Sequence, residues 1–158
     1  MIVERKAVRA IILTPDQEVL LLRVCPPGST ESFWMTPGGG LEPGETAESA
    51  LRRELQEEVG LEQFVVGPLV WRRRHTFAWA DERICQREEY YVVQVARFEP
   101  RMSDAVERQA LERFRWWPLA ELVQATEGVT PRCLSKIVEK YLADGPARNL
   151  ADVEVSDG

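Results

Sequence analysis

The chain has 158 residues, enough for one domain, and its 44% hydrophobic content is ample for a core. Its net charge of −6 argues against unspecific binding to nucleic acid or anionic membranes. An anionic ligand would need local positive charge, such as a metal with nearby arginines. No apolar run approaches the roughly 20 residues of a membrane span, and the N-terminus MIVERKAVRA has no signal-peptide core. Cys25, Cys85 and Cys133 are scattered without metal-ligand spacing, so reduced thiols in a cytoplasmic protein are expected.

Residues 6–13 and 18–24 are β-rich runs joined by Thr14-Pro15-Asp16-Gln17, a turn signal. Arg23 follows Leu20-Leu21-Leu22 near the end of the second run. The Pro-, Gly- and Ser-rich stretch 25–32 reads as an exposed loop. A short aromatic strand at 33–36 then runs into Pro37-Gly38-Gly39-Gly40, where successive glycines permit close backbone approach to a ligand or unusual φ values.

The stretch 39–61, GGLEPGETAESALRRELQEEVGL, predicts a loop, a helix of about four turns and a second loop. Pro43-Gly44 makes a turn, Thr46 is suited to cap the helix, Glu48 suits its first turn, and Gly60 suits a left-handed end. Ala47, Leu51, Leu55 and Val59 form one apolar stripe. Glu54, Glu57 and Glu58 lie on a flank of that stripe, close enough to repel one another. A merely solvated acidic face would oppose the stripe, and Arg52, Gln56 and Ser49 already supply that face. A hard divalent cation with oxygen ligands would relieve the repulsion.

Downstream, 64–70 and 71–77 read as strand, broken at Gly67-Pro68. In a strand Arg72 and Arg74 point one way and Arg73 the other, either as a charged edge or toward a substrate. His75, the only histidine, has no catalytic partner at useful spacing. Residues 78–85 read as a polar hairpin loop, 89–98 as a half-buried strand, 99–111 as a charged connection and 114–117 as a last short strand. A helix begins at 118–124. Thr130 is placed to cap a final helix to residue 142, with Pro131 first and Leu134, Ile137, Val138 and Tyr141 as its apolar face. Residues 144–158 lack periodicity and are expected to be a mobile tail, leaving 1–143 as the domain.

The glycine-helix stretch resembles the Nudix box: Gly39, Glu45, Arg53, Glu54, Leu55, Glu57, Glu58, Gly60 and Leu61 fill every position of that pattern. The resemblance implies an α+β Nudix fold, an α/β/α sandwich with a curved mixed β-sheet. It implies Mg²⁺, with Mn²⁺ as substitute, held by Glu54, Glu57, Glu58 and the Gly38 carbonyl, with one glutamate, in the box or beyond it, as base. Arg53 would orient a carboxylate, Glu45 would partner Arg53, and Gly39 and Gly60 would be structural. Relatives place an arginine like Arg23 near the substrate phosphates, as Arg72 or Arg74 also could be; the alternative for each is an ordinary surface charge. Some relatives add a glutamate beyond the box, for which Glu88, Glu107 and Glu112 are candidates.

The implied reaction is hydrolysis of a nucleoside diphosphate linked to another moiety, foremost a canonical or oxidised (d)NTP giving the monophosphate and pyrophosphate. Phe77 stands where many ADP-ribose enzymes carry proline, and signatures for dinucleoside polyphosphates and coenzyme A are missing. Nucleotide sugars, ADP-ribose and dinucleoside polyphosphates are the alternative substrates. A non-hydrolytic sensing module and an isoprenoid diphosphate isomerase are the rival classes. Trp34, Trp79 and Tyr90 could stack on a base or serve the core. No nucleic acid polymer or membrane partner is expected, and a homodimer is compatible with the family.

Overall fold

The computed structural model describes residues 2–105, 107–146 and 154–157, the last four and Glu107 by their backbone. Two long runs of β-branched and leucine residues form the centre. Strand β1 (Ile2–Leu13) turns at Thr14, whose hydroxyl accepts from the Glu18 N–H, into β2 (Glu18–Val24). Short strands β3 (Phe33–Met35) and β4 (Gly38–Gly40) precede helix α1 (Ala47–Val59). Then come β5 (Leu69–Trp79), β6 (Glu82–Gln94), β7 (Leu111–Pro118), α2 (Leu119–Val123), β8 (Val129–Thr130), α3 (Leu134–Asp144) and β9 (Glu154–Asp157).

The strands form one curled mixed sheet in the order β8-β3-β2-β1-β6-β5-β9, with β4 also on β1 and β7 also on β2. β1 runs parallel to β6 from Ile2↔Arg83 to Leu13↔Gln94. Strand alternation sorts β1 between two cores. Val8, Ala10 and Ile12 pack with Leu51, Leu55 and Val59 of α1, while Ile11 and Leu13 pack with Leu134, Ile137 and Val138 of α3. Helices on both faces of a curved mixed sheet make the expected α/β/α sandwich.

Several local expectations are corrected. Residues 78–85 are not a loop: β5 and β6 continue to Trp79↔Glu82 across a two-residue turn, with Ala80 at φ 53°. This end of the hairpin is largely exposed, so it lacks the alternating signal of a half-buried strand. Residues 64–68 are not strand, although Gly67 and Pro68 exchange backbone hydrogen bonds with Val92. Thr130 does not cap the final helix. It pairs with Met35 across β8 and β3, is joined to Pro131 by a cis peptide, and α3 starts at Leu134. Of the segment 144–158, residues 147–153 and 158 lie outside the described residues, and Glu154–Asp157 pairs in parallel with β5.

Candidate active site

Helix α1 is fixed at both ends. The Thr46 hydroxyl accepts from the Ser49 N–H and the Ser49 hydroxyl accepts from the Thr46 N–H, while Gly60 closes the helix at φ 75°. With its apolar stripe buried, the helix turns the acidic flank toward β4. Glu54 and Glu58 are only 5% and 4% exposed, and Glu57 is partly exposed.

Arg53 organises this flank. Its Nε and Nη2 donate to the two carboxylate oxygens of Glu45 at 2.9 and 2.8 Å, a bidentate pair. Nη2 also donates to the Gly40 carbonyl at 3.0 Å, and Nη1 donates to Glu54 Oε1 at 2.9 Å. Glu57 Oε2 lies 3.5 Å from Nη1. The bonds from Arg53 and from the Glu42 backbone hold the Glu45 carboxyl down to about 2. Glu45 is thus held by both oxygens on Arg53.

Glu54 is different. Burial pushes its carboxyl up from the ordinary range, and Oε2 is buried without a hydrogen-bond partner. Its neighbour is Gly39, where a Cβ would come within 2.5 Å of Glu54 Cδ. Glu58 Oε1 accepts from the Gly38 N–H at 3.1 Å. Among the described residues no three acidic, histidine or cysteine side chains are gathered as a ready cage. Arg53 holds one oxygen of Glu54, and the Gly38 N–H holds one oxygen of Glu58. Mg²⁺ keeps several waters and takes substrate oxygens, so it does not need a closed protein cage. The orphaned, desolvated oxygen of Glu54, beside Glu58 and a glycine main chain, fits such an ion.

Beneath this flank lies a buried charge cluster on the α3 side of the sheet. Glu88 Oε2 accepts from Arg9 Nε at 3.0 Å and from Gln86 Nε2 at 2.7 Å. Glu88 Oε1 accepts from Arg73 Nε and from the Tyr90 hydroxyl. Arg73 Nη2 reaches the Thr130 hydroxyl at 2.8 Å. Arg9 Nη1 donates to the Thr36 and Gly38 carbonyls at 3.4 and 3.1 Å. Sequence reasoning missed Arg9, Arg73 and Gln86 as a group. A lone charge between Val8 and Ala10 in an apolar strand was the available signal.

The other candidates are dispersed. Arg23 pairs with Glu112 and Glu127 and lies 5.5 Å from the Trp34 ring. Glu112, on β7, is thus paired with Arg23 of β2, and the Glu107 side chain is outside the described residues. Arg72 is partly exposed and Arg74 exposed on β5, opposite Glu89 and Arg87. His75 stacks on Phe77. Trp34 and Tyr90 are buried core residues, while Trp79 is partly exposed at the hairpin end.

This fold and glycine–glutamate arrangement define a class. The NUDIX domain model matches residues 3–136, and the chain belongs to the Nudix family. It is 31% identical to an RNA pyrophosphohydrolase of Pseudomonas fluorescens, over 84% of this chain and 91% of that protein. A MutT NUDIX hydrolase from Burkholderia pseudomallei aligns at TM-score 0.62 and 25% identity, covering 85% of this chain and 95% of that one. A MutT protein from Methanosarcina mazei shares the fold at TM-score 0.67 and 19% identity, covering 92% and 97%. The chain is a Nudix pyrophosphohydrolase, a family that generally uses divalent metals. No helix among the described residues is long and apolar enough to cross a membrane.

Proposed function

We propose that the chain hydrolyses the phosphoric anhydride of a nucleotide with Mg²⁺, or Mn²⁺ in its place, foremost a canonical or oxidised (d)NTP to NMP and pyrophosphate. The observation that carries this reading is Glu54 Oε2, buried, partnerless and adjacent to Gly39. Glu54, Glu57, Glu58 and the Gly38 carbonyl would hold the cation. When bound, it neutralises phosphate oxygens and acidifies water. Arg53 keeps the Glu54 carboxylate turned to the site and restrains Glu57 from the same guanidinium. Water adds to a phosphorus, the bridging P–O bond breaks, pyrophosphate leaves, and a glutamate takes the water's proton. Glu54, Glu57 and Glu58 are the candidates for that base.

Replacing Glu57 or Glu58 with Gln is expected to lower kcat by about 10² or more while circular dichroism and Tm stay near those of the parent. Near-normal turnover in both variants would sink the assignment. A second reading, the 5′-triphosphate end of RNA, is favoured by the name of the Pseudomonas relative. A panel of (d)NTPs, ADP-ribose, dinucleoside polyphosphates and a 5′-triphosphorylated oligonucleotide, with products resolved by chromatography, separates these substrates.

A further inference from the structure

We propose that Arg9 is a positioning residue for the metal site, holding the main chain at Gly38 so that its carbonyl faces the cation. The proposal rests on the reading above, in which that carbonyl is a ligand. Arg9 stands opposite Gly38 in the β1–β4 register. Its guanidinium spans three acceptors: Glu88 through Nε, and the Thr36 and Gly38 carbonyls through Nη1. A planar guanidinium presents its donors in a rigid fork, so anchoring one edge on Glu88 fixes where the other edge holds the carbonyls.

The rest of the segment is clamped around that contact. The Pro37 carbonyl accepts from the Ala10 N–H, and the Gly38 N–H donates to Glu58. Gly38 itself has φ 140° and lies so close to β1 that a Cβ would come within 2.1 Å of the Val8 carbonyl oxygen. A carbonyl oxygen has two lone pairs. Arg9 engages the Gly38 oxygen once and leaves it capacity for a cation. The charge of Arg9 by itself opposes cation binding, so its contribution lies in geometry. That contrast makes the idea testable.

The probe is Mn²⁺ alone, titrated into the protein without nucleotide and followed by electron paramagnetic resonance, with Tm measured in parallel. Arg9→Lys keeps the charge but loses the fork, and the Mn²⁺ affinity is expected to fall about tenfold or more, as for other groups that orient metal ligands. Arg9→Gln leaves Arg73 and Glu88 as a balanced pair, which favours folding. It is also expected to bind Mn²⁺ more weakly, although a positive charge has gone. Affinities within twofold of the parent in both variants, or tighter binding by Arg9→Gln, would overturn the proposal whatever happens to Tm. A parent chain that binds no Mn²⁺ would overturn the metal assignment itself, and this proposal with it.

Discussion

Glu88 carries two arginines on one buried carboxylate, and its protonation is linked to folding. Burial alone would raise it, but Arg9 and Arg73 hold it down to about 2, against 4.5 for an ordinary glutamate. A depressed folded value means stability that is present above about 4.5 and lost as pH falls from there toward 2. Glu88→Gln leaves two buried guanidiniums without their shared counter-charge and is expected to cost about 3–5 kcal/mol at neutral pH. It should also flatten the acid limb of stability. Urea denaturation at a series of pH values measures both, and a variant as stable as the parent at pH 7 would contradict this account. The sequence marks Glu88 only as a candidate site glutamate, because Arg9 lies 79 residues away and the pairing depends on the parallel β1–β6 ladder. Arg9 itself was legible as an anomaly. A charge within an apolar strand must find a partner, but nothing local says which.

At the level of elements, the site is the junction of β4 with α1. The helix was readable because its signals are local: the Thr46 cap, the stripe and the Gly60 terminus all lie within a few residues of what they control. Ser49 lies on the solvent face as expected, and its hydroxyl also completes the cap. That β4 is a strand was not readable, since three glycines carry no β signal and, among the described residues, their strand partner is the distant β1. The two glycines at the junction should fail differently. At Gly38 an added Cβ meets backbone and the φ is left-handed, so Gly38→Ala is expected to disrupt the fold locally. At Gly39 the Cβ would meet the end of the Glu54 side chain, which can turn away if Arg53 gives. Gly39→Ala is therefore expected to leave Tm within a few degrees while Mn²⁺ affinity and kcat fall together. A loss of Tm as large as that of Gly38→Ala would show that Gly39 serves the fold and not the Glu54 carboxylate.

On the scale of the whole molecule, the sheet separates two cores and the box helix belongs to one of them. The fold class followed from the box resemblance, whereas composition and periodicity alone gave only mixed α and β. Thr130 shows the limit of local reading: it looked like a helix cap, but its partners are Met35 and Arg73, far away in sequence. Charge is also a property of the whole. The chain is acidic, and several of its arginines are committed to carboxylates: Arg23 to Glu112 and Glu127, Arg52 to Glu48, Arg97 to Glu18, and Arg115 to Glu121. With a net charge of −6, the chain is expected to make few contacts to a polymer backbone beyond those at a terminal triphosphate. The kcat/KM for a 5′-triphosphorylated oligonucleotide should therefore respond to salt no more steeply than that for a free nucleoside triphosphate. A protein that follows the backbone through 6–10 phosphate contacts loses roughly 10³–10⁵ in affinity between about 50 and 200 mM salt. A comparably steep fall confined to the oligonucleotide would reveal a basic track along the chain and turn the substrate assignment toward RNA. Equal, shallow slopes would place recognition at the triphosphate alone, with the preferred nucleotide set by whatever contacts the first base.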